Sequence, residues 1–323
     1  MEPINVLSLF DGISCGQVAL ERAGVPVANY FASEIDKHAI KVTQHNYPKT
    51  QQLGDVTKIA GLDLILPHID LLIGGSPCQG FSFAGKQLNF EDPRSALFFE
   101  YVRILNEIRE YNPGVKFFLE NVKMKKEHQA VISSFLGVEP IEVCSSIVSA
   151  QVRKRLYWTN IRGFSAPADK GIVIKDILED GVEGYGAAIR DRYAGDKTVQ
   201  TLELNKSQKL NSLTTVRKDS VVAYKTNQIN SSTRCNGMQP YMQDRVFHIA
   251  GKVHSITSSF GSRTNVGDFD VDTWRSLTPT EAERAQTLPD NYTSVISDSQ
   301  RFKGLGNGWT VDVIVEFFKN LIP

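Results

Sequence analysis

The residue best suited to covalent chemistry in this sequence is Cys78, which lies in the Gly- and Ser-rich stretch Gly74–Ser82. This stretch directly follows the apolar run Leu71–Ile73. Cys78 is therefore expected at the carboxyl end of a strand, where open α/β sheets build their binding sites. Because a thiolate is a strong nucleophile, Cys78 is a candidate nucleophile.

A carboxylate and two arginines are expected near the same sheet edge. Glu120 follows the predicted strand Phe117–Leu119, and Arg153 and Arg155 precede the next strand-like run. A partly apolar setting would favour the protonated form of Glu120, which could then donate a proton at neutral pH. Alternation along an extended chain places the two arginines on one side. Taken singly, strand-end carboxylates are usually structural and basic clusters usually solvated, but beside Cys78 they indicate a site.

A second group of residues indicates a nucleoside ligand. The turn Phe10–Gly16 joins a predicted strand to a helix, and its glycines let backbone N–H groups approach a ligand closely. Glu34 follows the next strand, near the ~20-residue spacing at which a carboxylate accepts hydrogen bonds from ribose hydroxyls. Asp55 would suit an adenine amino group, although a lone loop aspartate is more often a helix cap. Ser14 interrupts the strict glycine pattern of nicotinamide-binding turns.

The elements that must hold these residues alternate between strands and helices in the first half of the chain. This alternation predicts an α/β fold with a doubly wound, mostly parallel sheet and crossover helices. Two further helices are predicted near the C-terminus, the first from a Thr-Pro-x-Glu capping pattern. The predicted strands are Ile4–Leu9, Tyr30–Ser33, Leu71–Gly74, Phe117–Leu119, Ile141–Val148 and Leu156–Thr159, and the predicted helices are Gln17–Ala23, Lys37–Asn46, Ser95–Tyr111, Thr278–Gln286 and Thr310–Leu321.

The composition changes at about residue 164. From there to residue 275 the chain is polar, which predicts loops and short strands. We expect residues 164–275 to form a small, irregular domain, and residues 1–163 and 276–323 to form the larger one. The net charge of the chain is zero, but residues 190–275 hold 13 Lys and Arg against 8 Asp and Glu. This mild excess suits a polyanionic partner and equally a solvated surface.

The length, the hydrophobic and charged content and the cysteines indicate the general class of protein. A length of 323 residues with 41% hydrophobic and 22% charged residues is typical of a soluble globular protein. No apolar run approaches the roughly 18 residues that span a bilayer, and the start Met1–Ile4 does not resemble a secretory signal, so we expect a cytoplasmic or, in a eukaryote, a nuclear location. The four cysteines Cys15, Cys78, Cys144 and Cys235 form no Cys-x-x-Cys pair, so neither a disulfide framework nor a metal site is expected.

Six motifs along the chain resemble, in order and spacing, those of the DNA cytosine-5 methyltransferases. The resemblance covers roughly residues 4–163 and 272–321 and leaves the predicted small domain unmatched, as expected where target choice varies. The Pro-Cys-Gln motif is fairly specific, and six motifs in sequence make coincidence a poor explanation. The motifs are Phe10–Gly12, Ser76–Ser82, Glu120–Val122, Gln151–Arg155, Arg275–Glu281 and Gly306–Asn307.

The resemblance implies a reaction on double-stranded DNA. Cys78 would attack carbon 6 of a cytosine flipped out of the duplex, so that carbon 5 takes the methyl group of S-adenosyl-L-methionine. Glu120 would protonate or hydrogen-bond ring nitrogen 3, while Arg153 and Arg155 would hold the base and its phosphate neighbourhood. The loop Gln79–Arg94 would close over the base.

The resemblance also implies a class I, Rossmann-like methyltransferase fold, a small domain that recognises the target, a monomeric enzyme and, in some members, a cognate restriction enzyme. Polar residues of Thr226–Gln239 are candidates for reading the DNA sequence. The implied cofactor-binding residues are Phe10, Asp11, Gly12, Gly16, Glu34, Ile35, Asp55, Val56, Pro77, Asn307 and Trp309.

Other classes of function stay open at this point. A tRNA cytosine-5 methyltransferase shares the catalytic residues, and a non-catalytic DNA-binding relative is a second possibility, although such relatives usually lack the nucleophile. A cysteine hydrolase would need a histidine partner, and no histidine here has a recognisable signature. A nicotinamide dehydrogenase is disfavoured by the interrupted glycine pattern.

Overall fold

The computed structural model describes residues 2–60, 68–76, 96–179, 184–194, 197–205, 207, 209–213, 220–224 and 273–322. Pro77, Cys78, the loop Gln79–Arg94, Cys235 and Thr226–Gln239, all of which carried sequence predictions, lie outside these residues.

A seven-stranded sheet forms the centre of the large unit. Its order is β3-β2-β1-β4-β5-β8-β6, and the first five of these strands are parallel. Strand β8 runs antiparallel to both of its neighbours. The strands are β1 (Ile4–Leu9), β2 (Val27–Ser33), β3 (Gln51–Gln52), β4 (Leu71–Gly74), β5 (Lys116–Val122), β6 (Ile141–Cys144), β7 (Gln151–Val152), which lies outside this sheet, and β8 (Lys154–Thr159).

Helices cover both faces of the sheet, as the predicted doubly wound fold requires. Successive side chains of a strand point to opposite faces. Accordingly, Phe118 belongs to one buried cluster with the C-terminal residue Phe317, whereas Phe117 and Leu119 belong to another with Ile104. The helices are α1 (Cys15–Ala23), α2 (Lys37–Asn46), α3 (Ala96–Tyr111), α4 (Lys126–Leu136), α5 (Pro279–Ala285), α6 (Asp298–Asn307) and α7 (Val311–Phe318).

The C-terminal helices return to the large unit. Helix α5 begins with the predicted capping box, in which the Thr278 hydroxyl accepts from the Glu281 N–H and Glu281 Oε2 accepts from the Thr278 N–H at 2.8 Å. Helix α7 packs against α1, and its residues Ile314 and Phe317 are fully buried. The predicted final helix is correct in place but shorter than expected, since a 3-10 turn over Lys319–Leu321 ends it.

One strand prediction was wrong in its extent. The β-branched run Ile141–Val148 forms a strand only to Cys144, and Ser145–Ile147 is a 3-10 turn. The Ser145 hydroxyl donates to the Gln151 carbonyl, and the turn brings the chain back so that β8 can pair with β6. The composition of the run does not predict this chain reversal, because the reversal is stabilised by contacts with residues further along the chain.

A second, antiparallel sheet occupies the polar part of the chain, with the order β10-β9-β12-β13. The prediction of short strands was wrong for β9 and β10, which have 11 and 8 residues. Their pairing with each other over the whole length of β10 stabilises them despite their polar composition. The strands are β9 (Gly184–Ala194), β10 (Lys197–Leu204), β11 (Leu210–Asn211), which pairs in parallel with β7, β12 (Val221–Tyr224) and β13 (Thr273–Ser276).

Gly186 in β9 provides a test of how this sheet meets the following segment. A Cβ atom at Gly186 would lie 2.2 Å from the carbonyl oxygen of Lys209 and 2.8 Å from Cα of Leu210. Because both neighbours are backbone atoms, we expect Gly186→Ala to destabilise the protein by about 1–3 kcal/mol. Urea unfolding measures this change. Gly114→Ala, whose Cβ would only reach Asn112 Oδ1 at 3.4 Å, is the control and should change stability by less than about 0.5 kcal/mol. Equal effects of the two substitutions would contradict the packing shown.

Among the helices that the structure describes, none has both the length and the apolar character needed to cross a membrane.

Candidate active site

A cavity of about 670 Å³ opens where β1, β2, β4 and β5 end. Open α/β sheets bind ligands at this carboxyl edge. The turns that follow β1, β2 and β4 contribute to the wall together with the last residues of β5, and the turn Gly306–Trp309 between α6 and α7 also lines it. Ser212 and Leu213, from the polar part of the chain, also line the cavity. The site is therefore built from both units of the fold.

Most of the predicted site residues meet in this cavity. Glu120, Arg153 and Arg155 line it together with the implied cofactor residues, so residues from distant parts of the sequence share one space. The cofactor residues that line it are Phe10, Asp11, Gly12, Glu34, Ile35, Asp55, Val56, Asn307 and Trp309.

Gly16 does not line the cavity, contrary to its place in the predicted cofactor set. It lies in the first turn of α1, where an added Cβ would be 2.5 Å from Ile73 Cδ1 and 3.0 Å from the Tyr30 hydroxyl oxygen. The absence of a side chain at this position lets the helix pack closely on the sheet. Gly16 therefore has a packing role, and its predicted contact with a cofactor stays a prediction.

The turn after β1 has an unusual backbone. Phe10, Gly12 and Ser14 have φ values of 57°, 58° and 62°, in the left-handed region that L-residues seldom adopt. The Gly12 N–H donates to Glu34 Oε2 at 2.8 Å, and Glu34 Oε1 accepts from the N–H groups of Ile35 and Asp36. Three backbone donors thus hold the Glu34 carboxylate in one orientation at the cavity wall.

Asp55 acts as a helix cap, the structural role that was the alternative to ligand binding in the sequence analysis. Its carboxylate accepts hydrogen bonds from the backbone N–H and the hydroxyl of Thr57 and so caps the 3-10 turn Val56–Lys58. These hydrogen bonds lower the pKa of Asp55. Because Asp55 also lines the cavity, a contact with a ligand stays a prediction.

Asp11 carries a buried carboxyl group in the same turn. The Tyr30 hydroxyl donates to Asp11 Oδ1 at 2.8 Å. Burial raises the pKa of Asp11 to about 6, although the hydroxyl groups around it favour the charged form. The neighbouring Cys15 thiol is likewise buried, and the loss of solvent raises its pKa to about 12, so Cys15 stays a neutral packing residue.

The raised pKa of Asp11 predicts a pH-dependent effect on stability. Between its ordinary value of 3.8 and about 6, the folded state binds more protons than the unfolded state, so stability falls as pH rises through this window. We expect Asp11→Asn to stabilise the protein at pH 7.5 by about 1–3 kcal/mol, and the gain to shrink towards pH 4. Urea unfolding at both pH values measures it. An equal effect of Asp11→Asn at both pH values would refute the argument.

Glu120 and Arg155 form an ion pair at the centre of the cavity. Arg155 Nε lies 3.0 Å from Glu120 Oε1, and the two side chains are only 15% and 11% exposed. Glu120 is opposite Tyr157 in the β5–β8 register and Val122 is opposite Arg155, so the two charged residues are diagonal neighbours. Glu120 is thus buried, at 8% exposure, with an opposite charge in contact with it, and its role as an acid stays a prediction. The carboxylate also lies inside β5, which continues to Val122.

Arg153 has a different environment from Arg155. Its guanidinium donates to the carbonyl oxygens of Gly306, Gly308 and Leu213 at 3.0–3.1 Å and to the Ser212 hydroxyl at 3.3 Å. The residue is 4% exposed, and burial lowers the pKa of Arg153 to about 10, which leaves it charged at neutral pH. The predicted contact of Arg153 with a base is untested, but four of its hydrogen bonds are made to the protein itself.

Trp309 lies close to Glu120 in the cavity wall. A Cβ on Gly75, just after β4, would lie 2.9 Å from Trp309 Nε1 and 3.3 Å from Glu120 Oε2. The indole also meets the Phe118 ring edge-on, with ring centroids 5.8 Å apart. Gly75 is therefore a position where only hydrogen fits between the indole and the carboxylate.

Sequence reasoning missed several cavity residues. Ser212 and Leu213 carry no signal, since they lie in an unmatched polar stretch. Lys303 forms an ion pair with Asp36 at 2.7 Å across the rim, between α6 and the start of α2, and the Lys303 hydrogen bond lowers the pKa of Asp36. Asn121 was visible in a motif but had no assigned role, and its side chain donates to the Ser76 hydroxyl at 3.2 Å.

Within the described part of the chain, no cluster of three or more His, Cys, Asp or Glu residues could hold a metal ion.

Comparisons with known proteins match this arrangement. The family model of the C-5 cytosine-specific DNA methylases matches residues 4–323. The type II methyltransferase M1.ScrFI of Lactococcus lactis subsp. cremoris is 31% identical over 96% of this chain and 76% of its own length. The type II methyltransferase M.HpaII of Haemophilus parainfluenzae is 30% identical over 99% and 90%.

A likeness to solved structures supports the fold. The methyltransferase EhMeth of Entamoeba histolytica superimposes with a TM-score of 0.66 at 18% sequence identity, over 99% of this chain and 98% of that chain. The predicted α/β class, with the mostly parallel sheet of class I methyltransferases, is confirmed. Because the family model spans nearly the whole sequence, the chain belongs to the C-5 cytosine-specific DNA methylases.

Proposed function

We propose that the protein transfers a methyl group from S-adenosyl-L-methionine to carbon 5 of a cytosine flipped out of double-stranded DNA, within a sequence selected by residues 164–275. The observation that carries this proposal is the Glu120–Arg155 ion pair, which shares one cavity with the implied cofactor residues. Strand β4, which leads towards Cys78, ends at the same cavity. A nucleophile, an acid and a cofactor site would thus converge on one base.

The residues around the cavity suit S-adenosyl-L-methionine, the donor that such enzymes generally use. A volume of about 670 Å³ falls in the range of small-ligand sites. The fixed Glu34 carboxylate would accept hydrogen bonds from the ribose, the Phe10 ring would pack on the adenine, and Asn307 with the backbone near Trp309 would hold the methionine end. When bound, this donor supplies an electrophilic methyl group.

Cys78 would supply the nucleophile. Its thiolate forms a bond to carbon 6 of the cytosine, and the electrons of the 5,6 double bond become available at carbon 5, which then takes the methyl group. A water molecule would then take the proton from carbon 5, the electrons of that C–H bond would re-form the 5,6 double bond, and the sulfur would leave as a thiolate with the electrons of the C–S bond. The ring is aromatic again and Cys78 is regenerated.

Glu120 and Arg155 would make this attack feasible. A proton or hydrogen bond from Glu120 to ring nitrogen 3 offsets the negative charge that the thiolate brings into the ring. Arg155 holds the Glu120 carboxyl group in place, because its guanidinium is in contact with it at 3.0 Å. Both side chains are largely buried, so water competes little for these contacts.

DNA recognition would come from the polar part of the chain. The target carbon is inaccessible in a stacked duplex, and flipping the base costs a few kcal/mol that contacts elsewhere on the DNA must offset. The excess of basic residues in 190–275 suits contacts with phosphates. We further propose a monomeric, cytoplasmic enzyme, with or without a cognate restriction enzyme.

A single assay tests substrate and specificity. Purified protein is incubated with mixed-sequence DNA and S-adenosyl-L-methionine, 5-methylcytosine is quantified by mass spectrometry, and modified positions are mapped by bisulfite sequencing. We expect one short sequence to be methylated. Bulk tRNA is treated in parallel, and methylation of tRNA alone, or of neither substrate, would contradict the proposal.

A further inference from the structure

Two residues of the motif Gln151–Arg155 hold the backbone of Leu213, which belongs to the polar part of the chain, residues 164–275, termed the polar unit. Leu213 donates its backbone N–H to Gln151 Oε1 at 2.7 Å, and its carbonyl accepts from Arg153 Nη1 at 3.0 Å. The preceding strand β11 pairs in parallel with β7, so residues 210–213, termed the Leu213 segment, run alongside the motif. Both backbone hydrogen-bonding groups of Leu213, its N–H and its carbonyl, are therefore held by side chains of the motif.

The same two residues reach the cofactor side of the cavity. Arg153 Nη2 donates to the carbonyl oxygens of Gly306 and Gly308 at 3.1 and 3.0 Å. Gln151 Nε2 donates to Gln286 Oε1 at 3.1 Å, and Gln286 Nε2 lies 3.4 Å from the Gly308 carbonyl. Two parallel routes thus join the Leu213 segment to residues 306–309, termed the Gly308 turn.

These links are buried. Arg153 is 4% exposed, and Gln151 and Gln286 are not exposed at all. The carbonyl oxygens of the Leu213 segment and the Gly308 turn accept hydrogen bonds from the Arg153 guanidinium, and the nearby Glu120 charge also favours its charged form. A planar guanidinium that donates in two directions cannot follow one segment without losing its bonds to the other.

The two linked segments face each other across the site. Ser212 and Leu213 line the cavity from the polar unit, and the Gly308 turn lines it beside Trp309, an implied cofactor residue. We propose that Arg153 is a positioning residue that couples binding of the nucleoside cofactor at the Gly308 turn to binding of DNA by the polar unit. This inference rests on the proposed function, because it takes the cofactor and DNA as the two ligands.

The coupling would act through the arrangement of both segments. A cofactor that orders the Gly308 turn would also order the Leu213 segment, and DNA that orders the Leu213 segment would favour the cofactor-binding form of the turn. Such coupling is reciprocal by thermodynamic necessity. Arg155, which pairs with Glu120, has no hydrogen bond to either segment in the described structure. The two arginines of one motif would therefore have separate tasks.

The test measures the affinity for S-adenosylhomocysteine with and without DNA. Isothermal titration calorimetry is carried out on the full chain, first alone and then with a saturating concentration of duplex DNA. This duplex carries the target sequence that the methylation assay identifies. We expect DNA to tighten binding at least about 5-fold in the wild type, the lower end of typical coupling. Arg153→Met should bring this factor to within about 2-fold of unity, and Arg153→Lys, which cannot reproduce the planar fork, should give an intermediate value.

Arg155→Lys is the matched control and should lose turnover while keeping the full coupling factor. The inference would be overturned if DNA did not change the affinity of the wild type for S-adenosylhomocysteine. It would also be overturned if Arg153→Met showed the same DNA-dependent change in affinity as the wild type. If Arg153→Met does not fold, as judged by its thermal unfolding, Ser212→Ala removes one acceptor of Arg153 and should reduce the factor, whereas an unchanged factor would count against coupling. Absence of methylation by the wild type would instead refute the proposed function.

Discussion

Cys78→Ala is expected to abolish methyl transfer while the protein still binds duplex DNA and cofactor. Without the sulfur, no bond to carbon 6 forms, and carbon 5 of an aromatic cytosine is too weak a nucleophile to take the methyl group. Loss of an enzymatic nucleophile lowers turnover by ~10⁴-fold or more. Mass spectrometry of 5-methylcytosine measures the residual rate, and gel-shift titration measures DNA affinity.

Cys144→Ala is the matched control for this substitution. Cys144 is a partly exposed free thiol at the end of β6, where it accepts a hydrogen bond from the Ser146 hydroxyl. Its removal should leave methylation within about 2-fold of the wild type, as expected for a partly exposed position that does not line the cavity. Substantial 5-methylcytosine formation by the Cys78→Ala protein would defeat the covalent mechanism.

A trapping experiment tests the covalent bond directly. A duplex with 5-fluorocytosine at the target position cannot lose a proton from carbon 5, so the Cys78 adduct cannot break down after methyl transfer. We expect a protein–DNA complex that survives denaturing electrophoresis and forms only when the methyl donor is present. No such complex should form with Cys78→Ala, and its absence with the wild type would contradict the mechanism.

Glu120→Gln is expected to reduce turnover by about 10²–10⁴-fold, the usual contribution of a general acid. The amide keeps the shape of the side chain but cannot transfer a proton, and it removes the charge that holds Arg155 at 3.0 Å. DNA affinity should change little, because most contacts with the duplex lie elsewhere. Single-turnover rates as a function of pH, together with DNA affinities, measure both quantities.

Glu142→Gln is a control on the same sheet. Glu142 forms an exposed ion pair with Lys123 at 2.9 Å, neither residue lines the cavity, and loss of the pair should leave turnover unchanged. Identical pH profiles for Glu120→Gln and the wild type would show that Glu120 does not act as the acid. A large loss of DNA affinity in Glu120→Gln would assign it to binding instead of chemistry.

The elements of the fold that depend mainly on residues close together in the sequence were predictable from the sequence. Strands β1 and β4 and helix α2 occur with the predicted bounds, because their apolar runs or helical periodicity are short-range patterns. The start of α5 was predictable for the same reason, since the Thr278–Glu281 capping box is complete within four residues. The polar strands β9 and β10 were not, because each is stabilised by the other.

The candidate site divides in the same way. The types of residue that could do chemistry, and the ends of the strands that carry them, were visible in motifs such as Glu120–Val122. The environment of Glu120 was not, since the contact with Arg155 depends on the antiparallel register of β5 and β8. The packing constraint at Gly16 was not visible either, because only the packed structure shows what a Cβ there would meet.

By itself, the sequence determined the class of fold, the family and the residues available for catalysis, because these follow from local hydrophobic patterns and from motifs of a few residues. The tertiary structure alone decided which of these residues touch. Arg153 bonds to Leu213 and Gly308 across 60 and 155 positions of the chain. The Arg155 guanidinium contacts a carboxylate, whereas the Arg153 guanidinium contacts four neutral acceptors. This difference depends on packing between segments that are far apart in the sequence, which local sequence patterns do not predict.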